Sequence, residues 1–208
     1  MNHLINKIES YPFDKLRRLL SSVNPNKKNN ELINLSIGEP KKRASKKVLS
    51  ILASNKELFS QYPPLGSMNI LVSAYKSYLS KRFNIKEVAN DNILNLGGTR
   101  EGTFSVIQSL FNKKIKSKKP YVLMPNPFYQ IYGGATLLAG GISKQINLNE
   151  DNGFSLDLNS INENIWKKCQ IFVACSPSNP TGSVLKEDEI RKIIKLSRKY
   201  GFYIVSDE

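Results

Sequence analysis

An α/β fold with a largely parallel sheet is predicted by three observations. Apolar stretches of strand length alternate along the chain with amphipathic stretches of helical period. Glycine pairs and prolines punctuate the joins. One stretch, QIFVACS (170–176), is apolar without alternation, as a strand covered on both faces must be.

The elements follow in order. YPFDKLRRLL (11–20) predicts a short helix entered through Pro12. NLSIGEP (34–40) reads as an extended segment leading into a loop. Residues 69–82 predict a long helix with Leu71, Ala74, Tyr75, Tyr78 and Leu79 on its apolar side. NILNL (92–96) is a strand candidate, followed directly by Gly97, Gly98 and Thr99. A helix then runs from Arg100 to Asn112, with Phe104, Ile107, Leu110 and Phe111 on one face. Pro120 opens the strand YVLM, which Pro125 and Pro127 close. Tyr129 to Ala139 predicts a helix ended by Gly140 and Gly141. ISKQINL alternates as a half-buried strand. Glu187 to Tyr200 is an amphipathic helix carrying Ile190, Ile193, Ile194 and Leu196, with Gly201 as its cap. FYIVS, expected to be a buried strand, leads into Asp207 and Glu208. Residues 1–40 are expected to form an N-terminal arm and part of a smaller domain, and 41–208 the main domain.

Composition narrows the class. With 40% hydrophobic and 23% charged residues the 208-residue chain reads as globular. No apolar run approaches the roughly 18 residues of a membrane helix, and the N-terminus lacks the apolar core of a secretory signal. No membrane partner is expected, and the cytoplasm is the expected location. Two cysteines, Cys169 and Cys175, do not make a disulfide framework, and with the single histidine, His3, they do not make a metal site. The net charge of +14 comes from lysines scattered through the chain. Its densest cluster, Lys41-Lys42-Arg43 with Lys46-Lys47, has no interleaved aromatics to stack on bases, so a solvated basic face is expected and not a nucleic-acid partner.

Four features fall at or just after predicted strand ends, where ligands of parallel sheets bind. In LGGTREG (96–102) a glycine pair precedes a helix whose N-terminal amides and partial positive charge suit a phosphate, with Thr99 and Arg100 adding a hydroxyl and a cation. A tight turn with Thr99 as N-cap is the alternative. In NPFYQIY (126–132), Tyr129 is placed to stack on a planar ring, whereas Phe128 and Tyr132 are expected in the helix core. In SPSNPTG (176–182) two prolines bracket Asn179 in a stiff loop that can hold a cis peptide, and Asn179 can donate to a ligand oxygen. Asp207 follows an apolar strand, so its carboxylate needs a partner, which a protonated ring nitrogen would supply. Capping a following helix is the alternative.

Taken together, in this order and spacing, the motifs resemble those of the class I/II aminotransferases of the pyridoxal-phosphate (PLP) fold type I superfamily. The resemblance implies the large domain of that fold, with an N-terminal arm belonging to a small domain largely absent. It implies that Gly98, Thr99 and Arg100 bind the cofactor phosphate and that Tyr129 stacks on the pyridine ring. Asn179 would contact the ring hydroxyl and Asp207 the ring nitrogen. Tyr62, in QYPPLGS, matches a tyrosine that reaches the phosphate of a neighbouring subunit, and Gly38, in LSIGEP, a loop glycine near the substrate carboxylate. A homodimer acting on amino acid and 2-oxo acid substrates is implied.

A narrower resemblance, carried by YPFDKLRRLL, INLSIGEPK, GTRE, PNPFYQIYGGATLLAGG and SPSNPTGSVL, is to bacterial N-succinyl-diaminopimelate aminotransferases of lysine biosynthesis. The expected reaction is transfer of nitrogen from glutamate to N-succinyl-2-amino-6-oxopimelate. Other class I aminotransferases, acting on aspartate, alanine or aromatic substrates, and a non-catalytic remnant are the alternatives. Two departures are visible: KKRASKK after Pro40, where the family usually has a proline-containing segment, and Gly102 where alanine is usual. The resemblance implies that the family's Schiff-base lysine lies beyond Glu208. No catalytic residue is therefore assigned within the chain, which is expected to be inactive as it stands.

Overall fold

The computed structural model describes residues 2–8, 10–23, 33, 35–36, 38–39, 41–62, 68–112 and 120–208. Parts of NLSIGEP and the PPLGS of QYPPLGS lie outside the described residues. The chain divides into two compact units, one of Met1–Ser10 with Leu96–Glu208 and one of Tyr11–Asn95.

The second unit is helical. Helix α1 spans Pro12–Leu20 with proline at its first position, as expected from the fixed φ of that residue. Helix α2 spans Lys46–Ser54 and α3 spans Met68–Phe83. The side of α3 expected to be covered is exposed at Leu71, Tyr75 and Tyr78, whereas Val72 is buried. Tyr75 and Tyr78 stack on each other, ring centroids 5.9 Å apart.

The expected strand at 92–96 does not form. A 3-10 turn occupies Asn90–Asn92, and although Ile93 is extended, no ladder is made along 93–96. A β-conformation becomes a strand only when a neighbour satisfies its amides and carbonyls. Among the described residues no strand pairs with this stretch, and Leu94 and Leu96 are exposed.

The first unit is a three-layer α/β sandwich. Strands β1 (Tyr121–Asn126), β2 (Ile142–Asn147), β3 (Cys169–Cys175) and β4 (Tyr203–Asp207) form one parallel sheet in the order β2-β1-β3-β4. Helices α4 (Thr99–Leu110), α5 (Gln130–Ala139), α6 (Glu163–Lys168) and α7 (Glu187–Tyr200) flank it. Side chains alternate across a strand, and each parity has its own core. Val122 and Met124 of β1 and Ile171 and Val173 of β3 pack with Ile107 of α4 and Tyr132 and Ala135 of α5. Leu123, Phe172 and Ala174 pack on the other side with Trp166 of α6 and Ile193 of α7. Because both faces are covered, β3 is buried at all seven positions, which is why its sequence does not alternate.

Two details depart from expectation. Pro125 lies inside β1 and does not close it. It is tolerated there because β3 pairs only as far as Leu123, so no amide on that side is needed. The strand FYIVS is only partly buried: among the described residues β4 pairs with β3, Phe202 is buried and Tyr203 is exposed.

Helix ends follow their residues. Gly140 and Gly201 terminate α5 and α7 at φ 83° and 64°, left-handed angles that glycine adopts without strain. At the start of α7, Glu189 accepts from the Lys186 amide (2.7 Å) and with its other oxygen from the Leu156 amide (2.9 Å). One carboxylate thus caps the helix and ties it to the loop between β2 and α6. Glu189→Ala is expected to destabilise the protein by about 1–2 kcal/mol, measured as a lower denaturation midpoint in urea.

The departure at Gly102 has a local cause. A Cβ there would stand 2.2 Å from Cδ1 of Leu96, which folds back over the first turn of α4. Among the described residues, no helix is long and apolar enough to cross a membrane.

Candidate active site

The sheet order sets the position of the site. From β1 the chain moves to β2 on one side, then returns to place β3 on the other. Loops leaving the carboxyl ends of β1 and β3 therefore diverge and open a crevice, the general ligand position of open α/β sheets. NPFYQIY leaves β1 there and SPSNPTG leaves β3.

Parity and register then orient the side chains. Residues 171, 173 and 175 of β3 share the face covered by α4 and α5. Parallel pairing sets Val173 beside Val205 and Cys175 beside Asp207, so Asp207 shares that face. Tyr129 immediately precedes α5, and Tyr132 follows one turn later on the same side. The two rings meet edge to face, centroids 5.8 Å apart at 87°.

A continuous chain of contacts results. The Arg100 Nε donates to the Tyr129 hydroxyl (2.6 Å), and its guanidinium lies 5.6 Å from the centre of the Tyr129 ring. Tyr132, fully buried, donates its phenol to Oδ2 of the half-buried Asp207. The Ser176 amide donates to the Asp207 carbonyl (3.0 Å), tying the SPSNPTG loop to the end of β4. The structure thus joins α4, α5, β3 and β4 around one spot, through Arg100, Tyr129 and Asp207.

Gly98 is the N-cap of α4 and Thr99 its first helical residue, so the Thr99 cap does not form. A glycine cap offers no side chain, and first-turn amides have no acceptor within the helix. Among the described residues, its chain neighbours aside, no atom lies within 4 Å of where a Cβ on Gly98 would stand. The space in front of the helix is open to a ligand.

The SPSNPTG loop holds its shape internally. The Ser178 amide donates to the Ser183 carbonyl (2.8 Å), and Gly182 sits at φ 72°, where glycine is favoured. The Ser176–Pro177 and Asn179–Pro180 peptides are cis, as is Asn126–Pro127. Asn179 is exposed at the loop's tip. The Ser178 hydroxyl is buried without a hydrogen-bond partner among the described residues. Tyr62 and Gly38 belong to the helical unit, where Tyr62 is 97% exposed.

Sequence reasoning placed Tyr132 in the core, and it is there; its bond to Asp207 was missed. The available signal was the Y-x-x-Y spacing at 129 and 132, which sets both rings on one helix face. The partner, 75 residues away, follows only from sheet register.

Burial pushes the Tyr132 phenol well above its ordinary value of 10.0, and the adjacent Asp207 and Cys175 side chains push it further. The folded state therefore keeps a proton that the unfolded chain releases above about pH 10. That stability is fully present below pH 10 and is lost above it, at about 1.4 kcal/mol per pH unit. Tyr132→Phe is expected to flatten this alkaline dependence, read from denaturation midpoints between pH 9 and 11.5.

A planar, phosphorylated, nitrogen-containing ring fits this donor set: amides at a helix N-terminus, an aromatic face, an amide side chain and a carboxylate. Comparisons with known proteins give the family. The family model "Aminotransferase class I and II" matches residues 30–208. The chain belongs to the class I and II aminotransferase family, whose cofactor is pyridoxal phosphate.

A crystal structure of an aminotransferase from Neisseria meningitidis Z2491 superposes with a TM-score of 0.89 at 37% identity, covering 100% of this chain and 52% of that one. The LL-diaminopimelate aminotransferase of Natranaerobius thermophilus is 28% identical over 99% of this chain and 52% of its own. A probable aspartate aminotransferase of Methanocaldococcus jannaschii is 32% identical over 86% of this chain and 46% of its own. The fold is that of fold type I aminotransferases. The chain spans about half the length of these relatives.

Proposed function

We propose that this sequence supplies the cofactor cradle of a PLP-dependent aminotransferase. The observation that carries the reading is the meeting of the α4 N-terminus, Tyr129 and Asp207 at the β1/β3 crevice. When bound, PLP supplies the electron sink that lets an amino group be exchanged for a carbonyl.

The residues take these parts. First-turn amides of α4, from Gly98 through Arg100, hold the phosphate against the helix dipole. Tyr129 covers one ring face, and Asn179 donates to the ring hydroxyl. Asp207 opposes the ring nitrogen and holds a proton on it. Tyr62 reaches the phosphate of a second subunit and Gly38 lies near the substrate carboxylate, so the working unit is a homodimer. The exposure of Tyr62 suits a residue that works across a subunit boundary.

For the substrate pair we propose glutamate with N-succinyl-2-amino-6-oxopimelate. The string NPFYQIY supports it, and relatives named for LL-diaminopimelate share the carbon skeleton. Identity to a probable aspartate aminotransferase favours oxaloacetate as the second reading. The test is a coupled assay on a chain of the relatives' full length, following glutamate consumption with each acceptor. The succinylated acceptor is expected to give the highest kcat/KM. Faster turnover of oxaloacetate or of an unsuccinylated acceptor overturns the assignment, and no turnover with any acceptor supports a non-catalytic remnant.

A further inference from the structure

Asp207 ends β4 with its carboxylate half-buried, and among the described residues no group of its own strand bonds that carboxylate. Rotation of an aspartate carboxyl is intrinsically loose, because the terminal torsion has broad wells. The restraint comes from α5. Tyr132 is 0% exposed, held between α5 and the sheet by Val122, Met124, Ile171 and Val173. Its ring is further fixed edge-on by Tyr129. From that position its hydroxyl reaches Oδ2 and no other described carboxylate oxygen. Cys175, beside Asp207 in the register, interacts with the same phenol and donates its thiol to the Pro177 carbonyl at 3.4 Å. A rigid donor thus meets one oxygen of the carboxylate. The other, Oδ1, accepts no hydrogen bond from the described residues.

We propose that Tyr132 is a positioning residue for Asp207: it holds Oδ2 so that Oδ1 is presented to the cofactor's ring nitrogen. The inference rests on the reading of Asp207 as the nitrogen's partner. Tyr132 does not touch the cofactor; it acts through the carboxylate. The spacing of 129 and 132 on one helix face then has a purpose beyond packing. A single turn of α5 supplies both the ring that covers the cofactor and the hydroxyl that aims its counter-charge.

The test uses a chain of the relatives' full length and the variants Tyr132→Phe, Asp207→Ala and the pair combined. Phenylalanine keeps the buried ring and removes only the donor. Two readouts are taken: the ¹³C resonance of the Asp207 side-chain carboxyl without cofactor, and the dissociation constant for PLP by fluorescence. Tyr132→Phe is expected to move the carboxyl resonance and to weaken PLP binding about tenfold, the scale of one hydrogen bond to a charged group. The double variant is expected to bind PLP no worse than Asp207→Ala alone, because the tyrosine has lost the group it acts through. An unmoved carboxyl resonance, or losses that add in the double variant, overturns the proposal. If the resonance moves but Asp207→Ala binds PLP normally, Asp207 is not the nitrogen's partner and the positioning role falls with it.

Discussion

Replacing Trp166 with alanine is expected to lower stability by about 3–5 kcal/mol, the range for removing a large buried aromatic. The single tryptophan is 3% exposed and lies nearly parallel to three rings. Phe202 is at 5.6 Å, Phe172 at 6.1 Å and Tyr200 at 6.4 Å between centroids, with interplanar angles of 18°, 23° and 13°. Those rings come from the end of α7, the approach to β4 and the middle of β3. One side chain on the short helix α6 thus joins three elements that carry the back layer of the sandwich. Its loss opens a cavity that rigid neighbours cannot close, because rings stacked on one another have little freedom to collapse inward. Chemical denaturation followed by circular dichroism measures the effect. Trp166→Phe, which keeps a plate in the stack, is expected to cost less. An alanine variant within 1 kcal/mol of the parent would show that α6 is dispensable to the sheet.

Replacing Asp207 with alanine is expected to lower transamination by about 100- to 1,000-fold, the scale of losing one preorganised electrostatic group. The carboxylate is positioned by two independent features: register, which sets it beside Cys175, and the Tyr132 hydroxyl on Oδ2. In the proposed role it is the negative group opposite the ring nitrogen, so its loss is expected to weaken the ring's electron-withdrawing power. Asp207→Glu keeps the charge and moves it by one methylene, so an intermediate loss is expected. The measurement is single-turnover kinetics with glutamate on a chain of the relatives' full length. A loss confined to KM, with kcat intact, would place Asp207 in substrate binding.

The two cases differ in how far the residues announced them. Asp207 was legible because a carboxylate at the end of an apolar strand requires a partner, wherever the strand sits in the sheet. That requirement does not depend on full burial, since β4 is partly exposed. Trp166 carried no such signal, since a tryptophan in NENIWKK reads equally well as surface or core.

The pattern extends to the whole unit. Helix α7, the glycine stops at 140 and 201 and the fully covered strand β3 were determined by local rules of period, cap and conformation. The helix N-terminus at Gly98–Arg100 and the place of Tyr129 at the start of α5 were likewise visible, because turn chemistry and strand ends leave marks in sequence. Tertiary structure decided the remainder. NILNL has strand composition and forms no strand, because a ladder needs a neighbour and composition cannot provide one. The Arg100 side chain meets Tyr129, a contact between residues on two different helices that no local rule announces. Tyr132 meets Asp207 because parallel register brings residue 207 level with 175, under the first turn of α5. Period and capping act between residues a few positions apart and can be read along the chain. Register and parity act between strands dozens of residues apart, and they are settled only when the sheet assembles.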